Sequence, residues 1–179
     1  MARTPSSMVE LGTPAKIFSL PSVEGPIISL EQFSQKPLLI MFICNHCPFV
    51  KHVKEELINI GKEFQDRGLG IVAINSNDTK NYPEDSFEKM KLEGYPFPYL
   101  FDETQEVAKA YDATCTPDFF LFDRSHRLFY RGQFDSSRPG NSLPVTGESL
   151  RIAISAVLKG QKLMIEQKPS LGCNIKWKE

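Results

Sequence analysis

Two cysteines, Cys44 and Cys47, enclose Asn45 and His46, directly after the apolar run 38–43 and directly before Pro48 and a helical stretch. A thiol pair where a buried strand passes into a helix is a redox arrangement. Half of a structural zinc site has the same spacing, but no second pair with ligand spacing follows, so a tetrahedral metal would lack its other ligands. Two inert core cysteines would not call for the polar Asn45 and His46 between them.

The chemistry open to such a pair depends on ionisation. A thiol attacks as its thiolate, and an ordinary cysteine, with a pKa of about 8.5, is only a few per cent thiolate at neutral pH. At a helix N-terminus the unpaired N–H groups and the positive dipole end favour the anion, and bring the pKa to roughly 3.5–7.5 in C-x-x-C sites. Attack on a disulfide gives a mixed disulfide, which the second cysteine resolves, leaving Cys44 and Cys47 oxidised. Proline holds the residue before it extended and is itself favoured at the first helical position, so Pro48 places Cys47 at the N-cap.

The rest of the chain bounds what such a pair can serve. Its 179 residues, 41% hydrophobic and 24% charged, suit one soluble domain with one sizeable core. The 21 basic and 22 acidic residues are interspersed, which leaves no basic stripe for nucleic acid or an anionic membrane. Residues 1–12 carry one Arg and no apolar stretch of signal-peptide length, and nothing elsewhere approaches a membrane span, so a cytoplasmic protein is expected. Four cysteines are too few for a disulfide scaffold in a chain of this size, which favours functional use of Cys44 and Cys47. The leading reading assigns no cofactor and no metal ligand.

Stepping outward from the pair, residues 17–21 and 27–30 read as two extended pieces around a Gly25-Pro26 turn, an N-terminal hairpin. The run 38–43 fits a central strand covered on both faces. Residues 48–67 follow as a helix, with Val50, Val53, Leu57, Ile60 and Phe64 at helical spacing and Gly68 closing the end. A second buried strand is expected over 70–75, short helices over 84–92 and 104–111, an antiparallel hairpin from 119–122 and 128–131, and a last helix over 148–159. The order β-α-β-α and then β-β-α predicts an α/β fold with a mixed sheet and helices on both faces. A domain is expected over 12–160, between an N-terminal lead, 1–11, and a C-terminal tail, 161–179.

With Pro14-Ala15-Lys16-Ile17-Phe18-Ser19-Leu20-Pro21 as an opening strand, Ser29-Leu30-Glu31-Gln32-Phe33 as a second piece, the Cys44–Cys47 motif and Thr116-Pro117 before the hairpin, the chain resembles the redoxin branch of the thioredoxin superfamily. The resemblance implies a thioredoxin-like three-layer α/β/α fold, a mixed central sheet with an N-terminal β-hairpin extension, and a thiol–disulfide oxidoreductase. It implies that Cys44 attacks and Cys47 resolves, and that Thr116-Pro117 is a cis-proline site facing the dithiol and shaping the substrate groove. The partners implied are a protein or small-molecule disulfide and an unidentified reductant. His46 stands where histidine stabilises the thiolate in oxidising C-x-x-C proteins, whereas the tryptophan that precedes the motif in ordinary thioredoxins is replaced by Ile43.

Other readings stay open. Peroxiredoxins also carry a Cys-Pro pair at the helix start, with a threonine three residues earlier where this chain has Cys44, so Cys47 is a candidate peroxidatic cysteine for a hydroperoxide. Against this, the proline expected four residues before that threonine is Ile40. Cys44, Cys47, Cys115 and His46 are a candidate metal or iron–sulfur module. Arg131 is a strand-end cation, either solvated or aimed at the thiols. In the tail, Ile175 and Trp177 alternate with Lys176 and Lys178, which suits an added strand or an extended segment with one face buried, packed back on the domain with a buried indole and Cys173 within exchange distance of the dithiol.

Overall fold

The structure is a computed structural model that describes residues 3–179. Its elements, in chain order, are β1 (Thr4–Pro5), β2 (Ser19–Pro21), β3 (Ile27–Ser29), β4 (Leu38–Phe42), α1 (Pro48–Phe64), β5 (Gly70–Asn75), α2 (Phe87–Met90) and β6 (Tyr99–Phe101), then α3 (Glu106–Ala110), β7 (Cys115–Thr116), β8 (Asp118–Phe122), β9 (Leu128–Arg131), α4 (Glu148–Leu158) and β10 (Leu171–Asn174).

The central five-stranded sheet runs β6-β5-β4-β8-β9. β4 pairs parallel with β5, Leu38 opposite Gly70, and antiparallel with β8, Leu38 opposite Phe122, so the sheet is mixed. Every residue of β4 is buried, as a strand covered on both faces requires. The period-two alternation divides that run between two cores. Leu39 and Met41 face α1 and α4, meeting Val53, Leu57, Ile60, Leu150 and Ile154. Leu38, Ile40 and Phe42 face the opposite side, meeting Phe18 and Leu20 of the N-terminal segment, Ala108 of α3 and Tyr111. The result is the three-layer thioredoxin-like arrangement, with β2 and β3 forming the antiparallel hairpin.

Differences from the expected elements have local causes. Helix α1 ends at Phe64 and continues as a 3-10 turn to Arg67, with Gly68 closing it at a φ of 95°. The helix expected over 84–92 is a single α turn between two 3-10 turns, with the Ser86 hydroxyl accepting the Lys89 N–H. The helix expected from 104 starts two residues later, because the buried Asp102 carboxylate accepts the N–H groups of Val107 and Ala108. Strand β6, on the sheet edge, lies in the Pro-rich stretch after Gly94 and offered no alternating run from which to read it.

Outside the central sheet, β1, β10 and β7 form a three-stranded antiparallel sheet. β10 lies in the middle, Gly172 opposite Thr4 and Cys173 opposite Thr116. The tail strand is therefore 171–174 and not the alternating 175–178. Ile175 is buried, but beyond it the backbone of Lys176 and Lys178 bonds to the side chains of Asn77 and Gln105, and Trp177 is 40% exposed. The alternation was real on its Ile175 half and led nowhere on its Trp177 half. No helix among the described residues is long and apolar enough to cross a membrane.

Candidate redox site

β4 delivers the chain to Cys44 at its C-terminal end, and Cys47 is the extended N-cap of α1, with Pro48 in the first turn. The five-residue connection between strand and helix, 43–47, is fixed by Asp85, which is fully buried. Its Oδ1 accepts the N–H of Asn45 at 2.7 Å and of His46 at 3.3 Å, and its Oδ2 accepts His46 Nδ1 at 2.5 Å and Asn77 Nδ2 at 2.8 Å. Asn45 is buried too: its Nδ2 donates to the Glu84 carbonyl and its Oδ1 accepts from Tyr99 Oη. The polar pair between the cysteines is thus an anchor. His46 points its ring at Asp85 and stacks on Tyr82 at 5.5 Å.

From the sheet side comes the β7–β8 connection, where the Thr116–Pro117 peptide bond is cis. Thr116 Oγ1 lies 3.5 Å from Cys44 Sγ, and the Thr116 carbonyl 3.3 Å from Cys47 Sγ. From the tail comes Cys173, whose Sγ is 2.9 Å from Cys47 Sγ. Both Cys44 and Cys47 are buried. A narrow cleft lined by Phe49, His52, Pro117, Phe134, Arg138 and Leu171 opens beside them.

The anion is favoured on Cys47. The Cys44 thiol donates to it, and despite burial the further hydrogen bonds from Cys173, Thr116 and the Val50 N–H lower its pKa to about 4. The Thr116 carbonyl can only accept from the protonated thiol, and these donors outweigh it. Cys44 moves the other way, well above the ordinary thiol value, because its hydrogen goes to Cys47, because it is buried, and because the Asp85 carboxylate faces it. Asp85 stays ionised: burial alone would raise its pKa, but the bonds from His46 and Asn77 hold it below the ordinary carboxylate value. Cys173 is pushed up to about 12 by burial and then by the Cys47 anion, with Lys176 acting in the opposite sense.

The structure brings Cys44, Cys47, His46 and Thr116 together, with Pro117 next in the chain. The candidate metal tetrad does not assemble. Cys115 directs its Sγ to the Pro117 carbonyl, and burial pushes its pKa up, as in an inert core thiol. Among the described residues, the groups that share ligand distance are Cys44, His46 and Asp85, and each Asp85 oxygen is already occupied by two donors. Arg131 is neither solvated nor aimed at the thiols: it is fully buried, paired with Asp118 and set over the Phe120 ring at 3.8 Å. Sequence reasoning missed Asp85 and Tyr99. Asp85 lies 39 residues from His46, at the end of a 3-10 turn, and carries no local pattern that marks it.

The AhpC/TSA family matches residues 11–131. Thiol-disulfide oxidoreductase ResA of Bacillus subtilis (strain 168) is 30% identical over 112 residues, covering 63% of this chain and 61% of that relative. An uncharacterized conserved protein from Geobacillus kaustophilus, known from its crystal structure, is 55% identical and superposes with a TM-score of 0.96 over 99% of this chain and 97% of that one. For the fold alone, a thiol:disulfide interchange protein of the thioredoxin family from Chlorobium tepidum TLS is 21% identical, with a TM-score of 0.60 over 85% of this chain and 99% of its own.

Proposed function

The chain belongs to the AhpC/TSA family, and on that footing we propose that it is a thiol–disulfide oxidoreductase whose Cys47 thiolate attacks the disulfide of its substrate. The observation that carries the reading is the seat of Cys47 at the α1 N-terminus with a thiol on either side, an arrangement that favours its anion. The similarity to ResA of B. subtilis, over part of that protein's length, supports it.

In this reading Cys44 holds the nucleophile. Its S–H donates to the Cys47 sulfur, and Asp85 keeps that proton in place by opposing a second negative charge. His46 serves Cys44 indirectly, by fixing Asp85, and the Thr116 hydroxyl closes the other side. Thr116 and Pro117 flank the substrate position, although the backbone edge beside them is already paired with β10. A protein substrate could not add a strand there, so a small-molecule disulfide is the substrate this groove favours. The thiols return to the reduced state through a separate reductant, and a cytoplasmic setting, where glutathione keeps thiols reduced, fits that need.

A hydroperoxide is the second substrate the thiolate suits, since Cys47 precedes Pro48 at the helix start. Arg131, a cation that could have polarised it, is engaged by Asp118 instead. The test compares reduction of oxidised glutathione with consumption of hydrogen peroxide. Wild type should reduce the disulfide, and Cys47→Ser should lose on the order of a thousandfold or more of that rate, as removal of a nucleophile does. Peroxide turnover with no disulfide reduction would replace this reading by the peroxidase.

A further inference from the structure

Resolution of the mixed disulfide needs a second thiol beside Cys47, and two are present. Cys173 is in direct contact, Sγ to Sγ at 2.9 Å, across α1 and β10. We infer that Cys173, and not Cys44, is the resolving thiol, so that a Cys47–Cys173 disulfide closes the reaction. The inference rests on the oxidoreductase reading above and adds to it a residue from outside the motif.

The seat of Cys173 is built for close approach. Gly172, next to it, lies so near the β7–β8 connection that a Cβ there would stand 1.9 Å from the Thr116 carbonyl oxygen, a backbone atom with no room to yield. On one side Ser170 donates its hydroxyl to the Pro117 carbonyl at 2.7 Å and its N–H to Ser6 Oγ at 2.9 Å. On the other, Lys176 donates its N–H to Asn77 Oδ1 at 2.9 Å, and its carbonyl accepts from Asp78 N–H and Gln105 Nε2. Asn77 is one of the four donors to Asp85, so the tail and the motif loop are registered through one side chain.

The electrostatics separate the two thiols once Cys47 has reacted. In a mixed disulfide Cys47 carries no charge, and its opposition to a second anion disappears from both neighbours. Cys44 is left deeply buried against the Asp85 carboxylate, which resists its ionisation. Cys173 is left beside Lys176 and the Phe49 N–H, both of which favour its thiolate.

The steps balance as follows. The Cys47 thiolate attacks R–S–S–R′; the Cys47–S–S–R bond forms as the substrate bond breaks, and R′–S⁻ leaves. Cys173 then attacks Cys47 Sγ, the Cys47–Cys173 bond forms, R–S⁻ leaves, and the Cys173 proton passes to a departing thiolate. The substrate gains two electrons and becomes one thiol, protonated by Cys173, and one thiolate, which takes its proton from solvent; Cys47 and Cys173 together lose two electrons.

The full-length reduced protein, treated with one equivalent of oxidised glutathione, alkylated and digested with trypsin, provides the test. Lys36 and Lys168 precede prolines, so Cys44 and Cys47 stay in one peptide, 17–51, and Cys173 lies in another, 163–176. A cross-link between the two peptides, assigned to Cys47 by fragmentation between the motif cysteines, is the expected main product. In Cys173→Ser, glutathione should stay bound to Cys47 about tenfold longer than in wild type. Oxidation found only as Cys44–Cys47, with Cys173 alkylated, would overturn the inference and leave the oxidoreductase reading standing. A protein that oxidised glutathione does not oxidise at all would overturn both.

Discussion

On the motif flank of Cys47, the neighbouring thiol Cys44 faces a buried carboxylate; on the tail flank, Cys173 feels the positive charge of Lys176 instead. The motif flank is held by side chains: Asp85 gathers four donors, and Asn45 is bonded at both ends of its amide. The tail flank is held mainly by backbone, with β10 between β1 and β7. The difference assigns different work to two chemically identical groups. A thiol against a fixed carboxylate is suited to staying protonated and donating a hydrogen bond, whereas a thiol on a strand with a cation nearby can ionise once the first anion is spent.

The contrast is broken most forcefully at Asp85. Asp85→Ala removes the acceptor for the N–H groups of Asn45 and His46 and for Asn77 Nδ2, each of which then lies unpaired at about 1–3 kcal/mol. A loss of about 3 kcal/mol or more is expected in urea unfolding of the reduced protein. Ser170→Ala, on the tail flank, removes one hydroxyl bond to a carbonyl that has a second lone pair, and should cost only about 1 kcal/mol. Equal losses would show that the motif loop is not the more rigidly fixed of the two.

The next test uses proton linkage. The Cys47 pKa in the folded protein, about 4, lies well below the ordinary thiol value of about 8.5, so between those limits the unfolded chain binds the extra proton. Stability from this group is complete above about pH 9, and is lost as pH falls toward about 4. Cys44 and Cys173 are raised, so their contribution runs in reverse: present below the ordinary thiol value, and lost as pH climbs above it. Urea midpoints of wild type should therefore climb relative to Cys47→Ser from about pH 5 to about pH 8. Parallel profiles for the two proteins would mean that the anion is not on Cys47.

Much of this was legible in the chain because the signals were local. The buried run before Cys44, the helical spacing after Pro48 and the Gly68 stop place the motif between β4 and α1 without reference to anything distant. The Cys-Pro order also marked Cys47 as the N-cap, against the expectation from ordinary thioredoxins that the first cysteine carries the anion. Asp85, by contrast, acts on the motif through a fold-dependent approach, and the polarity of Asn45 reads the same whether the side chain is solvated or bonded at both ends. Arg131 shows the same limit: a strand-end arginine gives no hint that its partner is Asp118, buried one strand away. The approach of Cys173 to the dithiol was legible from the partly apolar tail, but not the strand that delivers it; what seats it is the contact between Gly172 and Thr116, which no pattern in the chain announces.

The smallest expected effect lies where the tail flank gives out. Ile175 is 1% exposed and Trp177 is 40% exposed, with Lys109 Nζ 5.8 Å from the centre of the indole. A buried indole emits toward the blue, but this one is held at the surface by a cation over its face and by the Lys178 N–H bond to Gln105. Native emission should therefore sit only slightly to the blue of the urea-unfolded protein. Lys109→Ala should alter that emission while costing less than about 1 kcal/mol, the scale of an exposed cation–π contact. Because Cys173 is anchored by the strand that precedes Ile175, the same variant should leave the rate of oxidation by glutathione disulfide unchanged. A strongly blue native spectrum would show the tail packed through to its end, and a changed oxidation rate in Lys109→Ala would show that the last residues help to hold Cys173 against Cys47.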